Sequence, residues 1–263
     1  MKSSKALHAK WRLPYLYDLL RSLVDRDMKL LYKRSVLGIA WTLINPLLQL
    51  AVFIFVFQRV IPIEIPNYSS FVFTGLLVWT WFQNSLFQST RVIIANRPLI
   101  RQPGFPTAIL PIVITTKGLI HFVLALPVLV IFLLVDGAEL KPVILLLPIL
   151  QALQFALTVS LAYLLAALNV TFRDTQHTLG VVLQLFFYLT LIFYDFKNVP
   201  PAYQFLYNLN PMVHIVTAYR DVLMQGIAPN WEALLLVGIA TAICLPIGHL
   251  IFLRQSDHFV EEL

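Results

Sequence analysis

Charge is scarce in this chain. Only 12% of its 263 residues are Asp, Glu, Lys or Arg, against about 25% in a typical soluble domain. With 59% hydrophobic side chains, the sequence cannot supply a water-facing surface, so the bilayer must be its solvent. Cysteine is nearly missing too. Cys244 stands alone inside an apolar run, so no internal disulfide can form. No Gly-x-x-x-x-Gly-Lys-Ser/Thr run exists, which excludes a P-loop for ATP. No His-Glu-x-x-His run or Cys/His cluster suggests a metal. No constellation suggests a catalytic centre, so the chain is not expected to be an enzyme or to bind a cofactor of its own. The long apolar runs also lack Asp and Glu. Intramembrane carboxylates carry protons or ions in many secondary transporters, so the driving energy is expected from elsewhere. No cleavable leader is expected either, because Lys2, Lys5, Lys10 and Arg12 lead into an amphipathic stretch, not an apolar core.

What is present is a series of apolar runs. Six membrane spans are expected, at residues 36–58, 71–90, 107–135, 143–172, 179–194 and 233–253; the third and fourth exceed the roughly 20 residues a span needs, so they are expected to tilt or to extend past the bilayer. Residues 199–219 are uncharged as well, but Pro200, Pro201, Asn208, Asn210 and Pro211 break them. Lipid cannot satisfy the backbone groups such breaks release. This stretch is therefore expected as one or two short helices dipping into the outer half of the membrane. Residues 14–33 read as a separate amphipathic helix. Leu16, Leu20, Leu23, Val24, Met28 and Leu31 recur every three or four positions, and Arg21, Asp25, Arg26, Asp27 and Lys29 fill the other face. Such a helix lies in the membrane interface.

The net charge of +6 could suggest nucleic acid, but its placement does not. Nine of the 19 Lys and Arg residues precede residue 35. With the N-terminus in the cytoplasm, these join Arg91, Arg97, Arg101, Arg173 and Arg254 on the inside, against Arg59, Lys141, Lys197 and Arg220 outside; Lys117 lies within the third run and is not counted. That bias places both termini in the cytoplasm.

Several local patterns carry a family resemblance. Arg26-Asp27-Met28-Lys29, Tyr32-Lys33-Arg34-Ser35-Val36-Leu37-Gly38, Trp41 and Asn45-Pro46 lead into the first run. Gly75, Trp79 and Phe82 follow in the second. Leu99-Ile100, Phe105-Pro106 and Leu110-Pro111 come next, then Phe172-Arg173-Asp174, an aromatic run to Tyr194, and Asn210-Pro211. In order and spacing they resemble the polysaccharide-export permeases of the ABC-2 class, over nearly the whole chain. Members often have an Arg-Glu pair where this chain has Thr107-Ala108, and prolines where it has Val78 and Leu191.

The resemblance implies a single ABC-2 type transmembrane domain over residues 1–263 in a bacterial inner membrane. It implies a homodimer working with two copies of an ABC ATPase, which would hold ATP and Mg, and export of a lipid-linked polysaccharide such as an O-antigen, capsule or teichoic-acid type chain. Arg26, Asp27, Arg97, Arg101, Phe105, Pro106, Arg173 and Asp174 are then candidates for coupling to the ATPase. Two other functions compete: a membrane transferase or ligase acting on lipid-linked sugars, with Glu64, Asp136, Asp195 or Asp221 as acid or base, and an ABC-2 exporter of a small hydrophobic compound.

Two clusters bear on the substrate path. Lys117 and His121 are four apart and share a helix face. They read either as a polar pair lining a path for a diphosphate or sugar, or as a snorkelling Lys and a His bonded to a neighbouring helix. Between Phe186 and Tyr207 lie nine aromatics. Sugar C–H faces rest well on such rings, and Tyr adds a hydroxyl. Tyr188, Tyr194, Phe196, Tyr203 and Tyr207 are expected to line or close the outer end of a channel, with Phe53 and Phe57 as weaker candidates.

Overall fold

The computed structural model describes residues 13–33, 38–139, 141–256 and 259. It is all-helical, with no strands among these residues. The first basic residues and motif residues 34–37 lie outside the described part. The helices are α1 (Leu13–Tyr32), α2 (Trp41–Ile54), α3 (Tyr68–Ala95), α4 (Arg97–Ile100), α5 (Ile109–Val135), α6 (Leu147–Thr171), α7 (Thr175–Tyr188), α8 (Gln204–Asn208), α9 (Pro211–Arg220) and α10 (Trp231–Ser256). A wider-wound π turn extends α2 from Phe55 to Val60, and a 3-10 turn precedes α6 from Pro142.

Among the described residues four segments are long and apolar enough to cross a membrane: Trp41–Val60, Ile109–Val135, Pro142–Thr171 and Trp231–Ser256. The expected second and fifth spans differ. α3 has 28 residues, about 42 Å at 1.5 Å each, but Thr, Ser, Asn and Gln dilute its apolar character. It can hold them because it is the central helix, packed against α2, α5, α6, α7 and α9. Nearly every side chain from Tyr68 to Phe82 is buried. The fifth run, expected to be helical through 194, ends its helix at Tyr188 after 14 residues. The chain then turns sharply, and Leu191 takes the left-handed conformation at φ 57°.

α1 forms where the apolar periodicity predicts it. Leu23 and Val24 are its buried contacts, in a core with Val92, Ile93, Ile109, Val113 and Phe252. Leu31, expected on the apolar stripe, is 59% exposed. α1 packs on the start of α5, which defines one end of the bundle. At the other end, Ser70 donates to Asp136 Oδ2 at 2.5 Å, tying the start of α3 to the residue just after α5. Gly248 brings α10 close to α6, since a Cβ there would meet Ser160 O at 2.7 Å.

Candidate functional site

The sharp turn after α7 is held by side chains from α9. Asn210, just ahead of Pro211, accepts from Met212 N at 3.0 Å and so caps α9. Its amide donates to Leu189 O at 3.2 Å and Thr190 Oγ1 at 3.0 Å. At the far end of α9, the Arg220 guanidinium donates to Leu191 O at 2.8 Å, Ile192 O at 2.9 Å and Phe71 O at 3.2 Å. It also lies 3.5 Å over the Phe71 ring. Gly75 leaves the room: a Cβ there would stand 2.8 Å from Arg220 Nη2 and 3.2 Å from Ile192 O. The charge count assigned Arg220 to the outer surface, yet it is 5% exposed. A guanidinium carries five donors in a fixed fork, and here it serves two carbonyls beyond the end of α7 and one on α3.

This turn sets an aromatic wall against the end of α2. Phe193 stacks on Phe53 at 5.3 Å and on Phe57 at 5.2 Å between ring centroids, and Phe53 stacks on Phe187 at 6.0 Å. Tyr188 meets Phe193 edge-on at 5.9 Å, and Tyr194 meets it at 5.0 Å. The Tyr194 and Tyr207 hydroxyls share a hydrogen bond of 2.8 Å. Tyr194, Phe196 and Tyr207 pack beside Leu191, Val199 and Val213. Tyr188 and Tyr203 are more than half exposed. Sequence reading singled out most of these residues but not Phe193, the ring on which the others converge. Trp79 and Trp81 are both buried, so helix packing occupies both.

The other site lies near α1. A cavity of about 250 Å³ opens between α1, α2, α3 and α5. Polar side chains line it along α3 (Thr80, Asn84, Gln88), and Asn45 faces them from α2. Lys117 and His121 line it from α5. Lys117 Nζ binds Asp27 Oδ2 at 2.8 Å, and Arg26 Nη2 binds Asp27 Oδ1 at 2.8 Å. Partial burial pushes the Asp27 carboxyl up, but hydrogen bonds and charge from Lys117 and Arg26 outweigh it and hold the group below 3.8. Gly118 gives α3 access to α5, because a Cβ there would meet the Trp81 ring at 2.5 Å.

The candidate coupling residues gather at this same end. Arg97 and Arg101 are exposed on and just after α4, while Phe105 and Pro106 are half-buried in the loop into α5. Arg173 and Asp174 are exposed in the short link from α6 to α7, with no ion pair between them among the described residues. Of the candidate acids of a transferase, Asp136 accepts from Ser70 Oγ, and Asp195 accepts from Lys197 N at 3.0 Å. Among the described residues no group of three His, Cys, Asp or Glu could hold a metal ion.

Residues 18–224 match the family described as ABC-2 type transporter. The chain is 34% identical over 247 residues to an O-antigen export system permease protein, RfbA, of Myxococcus xanthus, covering 93% of this chain and 95% of that one. It is 32% identical over 261 residues to the protein of the same name from Klebsiella pneumoniae, covering 98% and 100%. It is 22% identical over 246 residues to the polysialic acid transport protein KpsM of Escherichia coli, covering 88% and 91%. A buried polar knot, a broken helix pair and a polar cleft thus sit in a chain that belongs to the ABC-2 type transporter family.

Proposed function

We propose that this chain is the transmembrane subunit of an ATP-driven exporter of a lipid-linked polysaccharide. The observation that carries this reading is similarity along almost the full length of permeases named for O-antigen export. The chain has no P-loop, so hydrolysis belongs to a separate ABC ATPase, two copies serving a homodimer of this subunit. α2, α3, α5, α6, α7 and α10 are the six crossings in a bacterial inner membrane, with both termini in the cytoplasm. α8 and α9 then dip into the outer half, and the bundle end bearing α1, α4 and the α6–α7 link faces the ATPase.

In this orientation the aromatic wall lies toward the outer exit. Stacked rings offer many weak contacts, which let a glycan slide where one strong site would hold it. The polar cleft lies toward the cytoplasmic entrance, where amides and hydroxyls suit sugar hydroxyls.

The test is removal of the chain from its host, followed by measurement of surface polysaccharide and of its lipid-linked precursor inside the cell. Surface polysaccharide is expected to vanish and the precursor to accumulate, and the wild-type chain should restore both. Normal surface polysaccharide without the chain would overturn the reading.

A further inference from the structure

α1 is held over the polar cleft by unequal means. Leu23 and Val24 bury its middle against the end of α3 and the start of α5. Farther along, only Asp27 and Leu31 of α1 reach the cleft, and Leu31 is exposed. The contact that closes α1 on the cleft is therefore the Asp27–Lys117 ion pair at 2.8 Å. Its side chains are only 20% and 16% exposed, so water screens it less than a surface pair. Asp27 is the one carboxylate among the described residues lining the cleft, which leaves Lys117 no second anionic partner there.

The carboxylate is held from both sides. Arg26 donates to Asp27 Oδ1 through Nε at 3.1 Å and Nη2 at 2.8 Å, while Lys117 donates to Oδ2. Two guanidinium donors on one oxygen fix the direction of the other, so Arg26 is a positioning residue for the pair. Arg26 Nη2 also reaches Asn96 Oδ1 at 3.4 Å, the longest and weakest of these contacts. Asn96 is the joint between α3 and α4. Its amide donates to Val92 O on α3 at 2.9 Å, and its backbone carbonyl accepts from Leu99 N at 3.0 Å and Ile100 N at 3.1 Å on α4. A tilt of α4 about this joint moves Asn96 Oδ1 and changes how Arg26 holds the carboxylate. It thus reaches Lys117 without touching it.

We propose that the Asp27–Lys117 pair is a latch that keeps α1 closed over the cleft, and that Arg26 and Asn96 connect the latch to α4, so that displacement of α4 releases it. The proposal rests on the reading that an ATPase docks at this end of the bundle, and it adds the contact that docking must break. With the latch made, the Lys117 charge is neutralised and α1 covers the mouth of the cleft. With it broken, the end of α1 beyond Met28 has only exposed Leu30 and Leu31 to hold it, and the cleft opens to the cytoplasm.

The test uses the full chain with its ATPase in nanodiscs. In a Cys244→Ser background, Thr80→Cys places a thiol at a half-buried position of the cleft, and its labelling by a water-soluble thiol reagent is timed. Labelling is expected to be slow without nucleotide and severalfold faster with ATP and Mg. Asp27→Asn should label about tenfold faster without nucleotide, since about 1.4 kcal/mol of latch corresponds to a factor of ten in population, and ATP should add little. The exchanged pair Asp27→Lys with Lys117→Asp should restore slow labelling. Asn96→Ala should label slowly and lose the response to ATP, because the latch is intact and its link to α4 is gone. Asn96→Asp keeps the acceptor for Arg26 and should keep the response. A merely structural asparagine would give the reverse, since the aspartate lacks the amide that binds Val92. Labelling of Asp27→Asn at the parent rate, or an exchanged pair that stays fast, would overturn the latch. A parent indifferent to ATP, an Asn96→Ala chain that still responds, or an Asn96→Asp chain that does not, would overturn the link to α4. None of these outcomes touches the export reading, which fails instead if surface polysaccharide persists without the chain.

Discussion

Arg220 shows how much one side chain can organise. Its guanidinium serves the Phe71 carbonyl on α3 and the Leu191 and Ile192 carbonyls on the turn after α7. Arg220→Met would take the guanidinium from the Leu191 and Ile192 carbonyls of the turn, at about 1–3 kcal/mol each. The expected result is a loss of roughly 3 kcal/mol or more of stability, seen as a large drop in the thermal midpoint of the detergent-solubilised protein. Arg220→Lys keeps the charge but not the planar fork, so its midpoint should fall between the two. A midpoint unchanged in the Met variant would refute the capping role. The left-handed Leu191 is part of the same arrangement. A non-glycine residue there stores strain that the surrounding bonds must hold in place.

Among the elements, α1 and α7 depend on partners elsewhere in the chain. α1 is fastened by its apolar face and by Asp27 to Lys117. Asp27→Asn and Lys117→Gln should each speed hydrogen exchange in α1, and the exchanged pair Asp27→Lys with Lys117→Asp should restore protection. Failure of the swap to restore it would show that the residues act separately. The pH dependence follows from the lowered carboxyl. The stabilisation is present above the ordinary carboxylate range and is lost as pH falls through the folded-state value. Protection of α1 should therefore hold from pH 8 to about pH 4 and decline below it. For α7, the aromatic wall is the functional test. Combined Ala substitutions at Tyr188, Tyr194, Phe196, Tyr203 and Tyr207 should cut surface polysaccharide sharply at normal protein level. Unchanged export would show the rings to be packing alone.

At the scale of the whole molecule, orientation is the property on which the rest depends. In a Cys244→Ser background, a single Cys placed at Arg97 should react only with reagent that enters the cytoplasm, and one at Tyr203 should react from outside. Labelling of both from the same side would contradict the proposed topology. The purified chain should show no ATP turnover until its ATPase is added, and substantial turnover alone would contradict a two-component machine.

Composition alone determined that this chain lives in a bilayer, because its charged residues are too few to cover a soluble surface. Apolar periodicity and breaks located α1, four of the long helices and the Pro- and Asn-broken segment before α10, since these depend on local pattern. Tyr188 through Tyr207 stood out as a local excess of rings. Three things depended on contacts between distant residues. The polar centre of α3 persists as helix because the bundle encloses it. α7 stops at Tyr188 because Asn210 and Arg220, more than twenty residues onward, take up the carbonyls that follow. Lys117 finds Asp27 across 90 positions. No spacing in the sequence announces such a pair, because helix packing and not chain distance brings its two charges together.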